Sequence, residues 1–225
     1  SILRKRKNNV DFDGSETTGP GGLPLACVGR SRNVRTMNES ILDAATDTIV
    51  PDETPLEDAL ARTTHLAIGA HPDDLEIFAL HGIERCYRRP DLWFTGITVT
   101  DGAGSPRSGL YGNTSDAEMT AIRRREQRHA ARVGEYGLQV QLGRSSAEVK
   151  HKDGAAGIAA SLQAILEAAR PRVVYLHNPA DKHETHLAVL ALALRALRGA
   201  RRGFTPDAVY GCEVWRDLDW LPDES

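Results

Sequence analysis

From residue 65 onward, short apolar runs alternate with stretches of helical periodicity, and no other feature of the chain constrains its fold as much. Runs at 65–70, 92–100, 138–142, 172–177 and 207–214 read as buried strands. Helical spacing falls between them, at about 75–88, 115–134, 156–169 and 186–198. Ile158, Leu162, Ile165, Leu166 and Ala169 mark one apolar helix face; Leu187, Val189, Leu190, Leu194 and Leu197 mark another. Strands that are apolar throughout, joined through helices, predict an α/β fold: a Rossmann-like, mostly parallel sheet with helices on both faces. Ligands of such sheets sit beyond the carboxyl ends of the strands, where the strand order switches.

Before residue 64 the character differs. A basic head at 1–7, a Gly/Pro-rich stretch at 19–22 and amphipathic pieces near 38–47 and 55–62 carry no repeat and no ligand cluster. Residues 1–63 read as a partly ordered N-terminal extension that wraps the domain or contributes to a partner contact, with the domain itself at 64–225. The formal net charge of −3 gives no electrostatic footing for nucleic acid or an anionic membrane. Three dispersed cysteines, Cys27, Cys86 and Cys212, argue against a disulfide framework or a structural zinc knuckle and suit a reducing compartment. No apolar run reaches the length of a membrane span, and the polar N-terminus lacks a signal-peptide core. A cytoplasmic location without integral membrane contact is expected. The absence of a Gly-x-Ser-x-Gly elbow and of a Walker loop sets aside serine hydrolases and P-loop NTPases.

The chemistry concentrates at two strand ends. His71-Pro72-Asp73-Asp74 follows the first run, and His183-Glu184-Thr185-His186 follows the fourth. Each has an ordinary explanation alone, as a turn with a helix-capping aspartate and as a pair of surface histidines. Together, at the carboxyl ends of strands, they supply what a catalytic zinc site needs: three protein ligands and one open position. His71 and Asp74 can converge on one ion across the turn. His183 and His186 share a helix face, and one of them completes the set. Asp73 and the other histidine then stand beside the ion as base and acid, suited to hydrolysing an unactivated amide or ester. His177, the last residue of its run, reads as a neighbour of the site or as a core histidine. Segment 101–112, with four glycines, reads as a solvent loop or as a lid at the substrate rim.

The set Ala70-His71-Pro72-Asp73-Asp74-Leu75-Glu76, followed by Asp181-Lys182-His183-Glu184-Thr185-His186, resembles the LmbE-like, or PIG-L, zinc deacetylases. Members of that family remove acetyl groups from N-acetylglucosaminyl-phosphatidylinositol, from mycothiol and bacillithiol precursors and from glycopeptide antibiotics. Thr100-Asp101-Gly102-Ala103-Gly104 is similar to the family's loop after the second strand. Arg123-Arg124-Arg125-Glu126 with Gly134 is similar to its Arg-x-x-Glu helix, and Cys212-Glu213-Val214-Trp215 to its last strand. The resemblance spans about residues 65–220.

The resemblance implies a Zn2+ ion held by His71, Asp74 and His186. It makes Asp73 the general base toward the water at the ion, and His183 the acid that steadies the oxyanion and protonates the leaving amine. Arg123 and Asp101 become candidates for gripping substrate. The same two-histidine, one-aspartate donor set also suits Fe2+, Co2+ or Ni2+. The family often reads His-Pro-Asp-His at the second cluster. Thr185 stands here where that aspartate would orient the first histidine, leaving Asp181 or Glu184 to take its place. The implied activity is removal of the N-acetyl group from an N-acetylglucosamine-type sugar or glycoconjugate, a small-molecule substrate, by a chain that is free to form homo-oligomers. Two rival readings stand beside it: a metal-dependent amidase of a non-acetyl amide conjugate, and a non-catalytic metal-binding α/β module.

Overall fold

The computed structural model describes residues 44–200 and 203–216. In chain order its strands are β1 (Asp47–Ile49), β2 (His65–Gly69), β3 (Phe94–Thr100), β4 (Leu138–Arg144), β5 (Val173–His177) and β6 (Ala208–Cys212). Its helices are α1 (Leu56–Ala61), α2 (Asp74–Phe78), α3 (Leu80–Cys86), α4 (Asp116–Val133), α5 (Ser146–Lys150), α6 (Lys152–Ala169) and α7 (Glu184–Ala200). The strands form one sheet in the order β1-β4-β3-β2-β5-β6. Neighbours from β4 to β6 run parallel, and β1 closes one edge antiparallel to β4.

Every residue of β2 and β3 is buried, as a parallel sheet covered on both faces requires. Alternate side chains feed two cores. Leu66 and Ile68 pack with Ile158, Leu162 and Ile165 of α6 and with Val189 and Ala193 of α7. Ala67 and Tyr175 face the other way, among Leu75, Phe78, Ile83, Phe94 and Tyr136. The expected α/β sheet with helices on both faces is therefore present.

Some boundaries differ from the sequence reading. The stretch expected as one helix at 75–88 divides at Ala79, whose φ of −104° and ψ of 13° leave helical geometry. Helix α5 was not expected; Ser145 and Glu148 form a capping box at its start, as Ser115 and Glu118 do for α4. Part of the stretch expected as the 1–63 extension packs on the domain. Asp47, Thr48 and Ile49 pair with Gln141, Val140 and Gln139, and Ala59 and Leu60 of α1 are buried in the core. Three residues give too short a run for strand alternation to register. The basic head, the Gly/Pro-rich stretch and most of the 38–47 piece lie outside the described residues.

The chain runs from β2 outward through β3 to β4, then returns to the other side of β2 for β5 and β6. The strand order thus switches between β2 and β5, and ligands of such sheets bind beyond the carboxyl ends at that point.

Candidate metal centre

Strand β2 delivers the first cluster to this switch point. Asp73 adopts φ 91°, left-handed backbone that an aspartate tolerates better than most side chains, and α2 starts at the next residue. Helix α4 braces the turn. Arg123 donates to the Pro72 carbonyl and to Asp73 Oδ2, and Gln127 Oε1 accepts the Asp73 N–H at 3.1 Å. Gln127 in turn donates to Glu76, which also accepts the Tyr136 hydroxyl. No hydrogen bond engages Asp73 Oδ1 among the described residues.

Asp74 is buried, and its Oδ2 accepts the His71 N–H at 2.7 Å. His71 Nδ1 lies 3.1 Å from His186 Nε2 and 3.5 Å from Asp74 Oδ2; Asp74 Oδ1 lies 3.5 Å from His186 Nε2. Tetrahedral ligands about 2.0–2.2 Å from a zinc ion stand roughly 3.3–3.6 Å apart. The three residues therefore hold donor atoms at close to ligand spacing. The partner behind His186 strengthens the fit. Its Nδ1–H donates to buried Asp181 Oδ2 at 2.6 Å, which leaves the Nε2 lone pair facing the cluster. Burial also lowers the His186 pKa, against the opposing pull of Asp74, favouring the neutral ring that a metal needs.

His183 sits at the exposed mouth, with a ring nitrogen within 4.8 Å of those of His71 and His186. The Thr185 N–H donates to His183 Nδ1 at 3.3 Å. That assigns the ring proton to Nε2. Asp181 accepts the His183 backbone N–H at 2.7 Å, but its side chain serves the His186 ring rather than that of His183. A peptide N–H thus orients the His183 ring, but as a donor it fixes the opposite tautomer from the one an aspartate at 185 would favour. Burial first, then the neighbouring His71, lowers the His183 pKa, so this ring is neutral near pH 7.

The two residues expected to grip substrate make these bonds within the chain. Arg123 spends its guanidinium on Asp73, Glu126 and the Pro72 carbonyl. Asp101 Oδ1 closes its own turn by accepting the Ala103 N–H at 2.9 Å, and it makes no hydrogen bond to the cluster among the described residues. The loop it opens packs directly on the site: a Cβ at Gly102, φ 73°, would stand 2.9 Å from Arg123 Cβ. Arg107 ties that loop together through Ala103, Ser105, Thr114 and Asp116. Fully buried His177 belongs to the cluster as well, stacked on His186 at 4.1 Å. Its place at the end of the fourth apolar run was the only sequence signal. Gln127 gave none, since a glutamine within an arginine-rich helix reads as solvated.

The GlcNAc-PI de-N-acetylase (PIG-L) pattern matches residues 66–197. No curated protein sequence matches the chain. Among solved structures, a conserved protein from Thermus thermophilus is 21% identical at a TM-score of 0.52, over 67% of this chain and 66% of that one. N,N′-diacetylchitobiose deacetylase from Pyrococcus horikoshii is 18% identical at 0.55, over 72% of each chain. GalB, the 4-carboxy-2-hydroxymuconate hydratase from Pseudomonas putida, is 18% identical at 0.54, over 72% of this chain and 70% of that one. The chain thus spans about two thirds of the first relative's length, and these likenesses show the fold. With the family pattern matching over more than half of its residues, the chain belongs to the GlcNAc-PI de-N-acetylase (PIG-L) family.

Proposed function

We propose that the chain is a metal-dependent N-deacetylase of an acetamido sugar or glycoconjugate. The observation that carries this reading is the convergence of His71 Nδ1, Asp74 and His186 Nε2 within 3.1–3.5 Å at the point where the strand order switches. These three would hold Zn2+, or Fe2+, Co2+ or Ni2+ in its place. When bound, the ion supplies Lewis acidity for the acetamide carbonyl and lowers the pKa of a water.

The remaining roles belong to the chain's own groups. Asp73, with Oδ2 anchored by Arg123 and Oδ1 open, takes a proton from the attacking water. His183 offers Nε2–H to the carbonyl oxygen as charge develops there. Asp73 then returns that proton to the leaving amine, while neutral His183, its Nδ1 lone pair held by the Thr185 N–H, keeps Nε2–H on the oxyanion rather than giving it up as the acid that the resemblance implied. Net, hydroxyl ends on the acetyl carbon and a proton on nitrogen, giving acetate and free amine. Arg123 holds the base and its turn in place, and substrate contact falls to the 101–115 rim, which packs on Arg123 through Gly102.

No described helix is long and apolar enough to cross a membrane. A cytoplasmic enzyme acting on a small-molecule substrate accords with this and with the dispersed cysteines. The hydratase on the same fold favours a second reading, in which the site adds or removes water without cleaving an acetamide. Metal analysis of the purified chain, paired with a free-amine assay on N-acetylglucosamine derivatives and N,N′-diacetylchitobiose, separates the two. About one ion per chain with amine release supports the deacetylase. Metal without amine release moves the function to the second reading or to a non-catalytic module, and no metal uptake overturns the proposal.

A further inference from the structure

His177 is the one imidazole of the cluster to which the proposed chemistry gives no task. It is the last residue of β5 and fully buried. Its ring lies parallel to His186, with centroids 4.1 Å apart and planes at 10°, and Phe78 packs against it at 4.9 Å. Asp74, His177 and His186 together form a set whose ligand atoms all lie within 4.8 Å. On distance alone His177 is a candidate ligand.

The backbone decides against that. Pairing between β2 and β5 runs from His65 and Val173 to Ala67 and Tyr175, then stops. Beyond it, the Ala70 N–H donates to His177 Nε2 at 2.9 Å, while the Ala70 carbonyl accepts the Thr100 N–H at 2.8 Å. A peptide N–H is always a donor, so it occupies the Nε2 lone pair and assigns the ring proton to Nδ1. Asp74 Oδ2, 3.4 Å from Nε2, is then a contact between two acceptors. Nδ1 is buried and finds no partner. An apolar ring here would avoid that orphaned N–H, but it would leave the Ala70 N–H orphaned instead. The imidazole therefore replaces a rung of the β2–β5 ladder at the point where the strands part.

We propose that His177 is a positioning residue: its ring, bonded to Ala70 and stacked on His186, holds the two strand ends at the separation that brings Asp74 and His186 to ligand spacing. The inference rests on the metal reading of the site.

The test uses the full chain with Co2+ as probe, comparing H177F, which keeps the plate, with H177Q, which keeps an acceptor. Variants that displace a partner oriented behind a ligand lose about 10- to 100-fold in metal affinity. H177F is expected to keep one Co2+ per chain, bound at least about 10-fold more weakly, with shifted d–d bands. H177Q is expected to bind more tightly than H177F. Unchanged affinity and spectrum in folded H177F overturn the proposal. So does loss of stoichiometric binding in both variants, which would make His177 a ligand. Parent protein that takes up no Co2+ overturns the metal reading itself, a distinguishable failure that removes this inference with it. Should H177F not fold, ring 15N spectra of the metal-free parent chain decide. An Nδ1–H tautomer for His177 and slow exchange at the Ala70 amide are expected, and an Nε2–H tautomer overturns the assignment.

Discussion

Among the residues around the proposed ligands, Asp181 is the one whose replacement by its own amide isostere should be felt most sharply at the cluster. One carboxylate oxygen accepts the His186 Nδ1–H at 2.6 Å, and the other accepts the His183 backbone N–H at 2.7 Å. Asp181 and His186 are only 4% and 1% exposed, so no water stands ready to substitute. Both partners are donors. An asparagine offers one acceptor oxygen and one NH2, so Asp181→Asn must break one of the bonds. The alternative is to drive the His186 proton to Nε2, which removes the lone pair facing the cluster. A hydrogen bond to a charged group is worth about 1.5–3 kcal/mol. At about 1.4 kcal/mol per decade, Zn2+ affinity should fall roughly 10- to 100-fold. Competition titration against a chromophoric chelator measures this directly, with circular dichroism establishing that the variant is folded. Zn2+ affinity within about threefold of the parent in folded protein would refute the reasoning, because the carboxylate would then not be setting the His186 tautomer.

Other expectations follow from the same geometry. Asp73→Asn should lower kcat about 10²- to 10⁴-fold while metal content by atomic absorption stays near that of the parent; loss of metal together with activity would make Asp73 a ligand. Gly82→Ala would set a Cβ 2.5 Å from the Tyr175 ring. Overpacking of this kind costs about 1–3 kcal/mol, more than the helix gains from alanine. The Tm should drop about 2–4 °C per kcal/mol, and a raised Tm would show that Tyr175 yields freely. His65, away from the metal cluster, has its pKa lowered from 6.5, first by burial and then by Arg85 and Arg172. The unfolded chain therefore takes up this proton at higher pH than the native one, and native stability falls as pH drops below 6.5. His65→Gln should flatten the decline in Tm between about pH 7 and 5, and an unchanged slope would assign it elsewhere.

What the sequence disclosed was whatever depends on period and on neighbours along the chain. Buried parallel strands read as continuous apolar runs, and the two His/Asp clusters stand next to them, so the sheet and the strand ends that carry the clusters could be placed in advance. Features set by tertiary pairing could not. Strand β1 is three residues long and exists because β4 offers an open edge. The break at Ala79 follows from how α2 and α3 separately meet the sheet, which helical spacing does not encode. The family resemblance alone made Arg123 a candidate for gripping substrate. Only the approach of α4 to the 71–74 turn shows it engaged with Asp73. Asp181 carried a usable signal, two residues before His183. Which of the two histidines its side chain would serve depended on the turn that follows β5.

The switch between β2 and β5 also has a kinetic consequence. His71 and His186 are 115 residues apart in the chain, and they meet only once β5 has docked beside β2. Parallel pairing over such separations is slow to form, because loop-closure entropy is lost before the contacts repay it. An unfolded or half-folded chain holds no more than fragments of the ligand set. An ion at the proposed centre would therefore bind the native topology almost exclusively. At a free concentration a thousandfold above its Kd it would add about 4.1 kcal/mol to stability. With the proposed metal, uptake during refolding would be a clock for the last rearrangement of the sheet, and chelation would loosen that seam first.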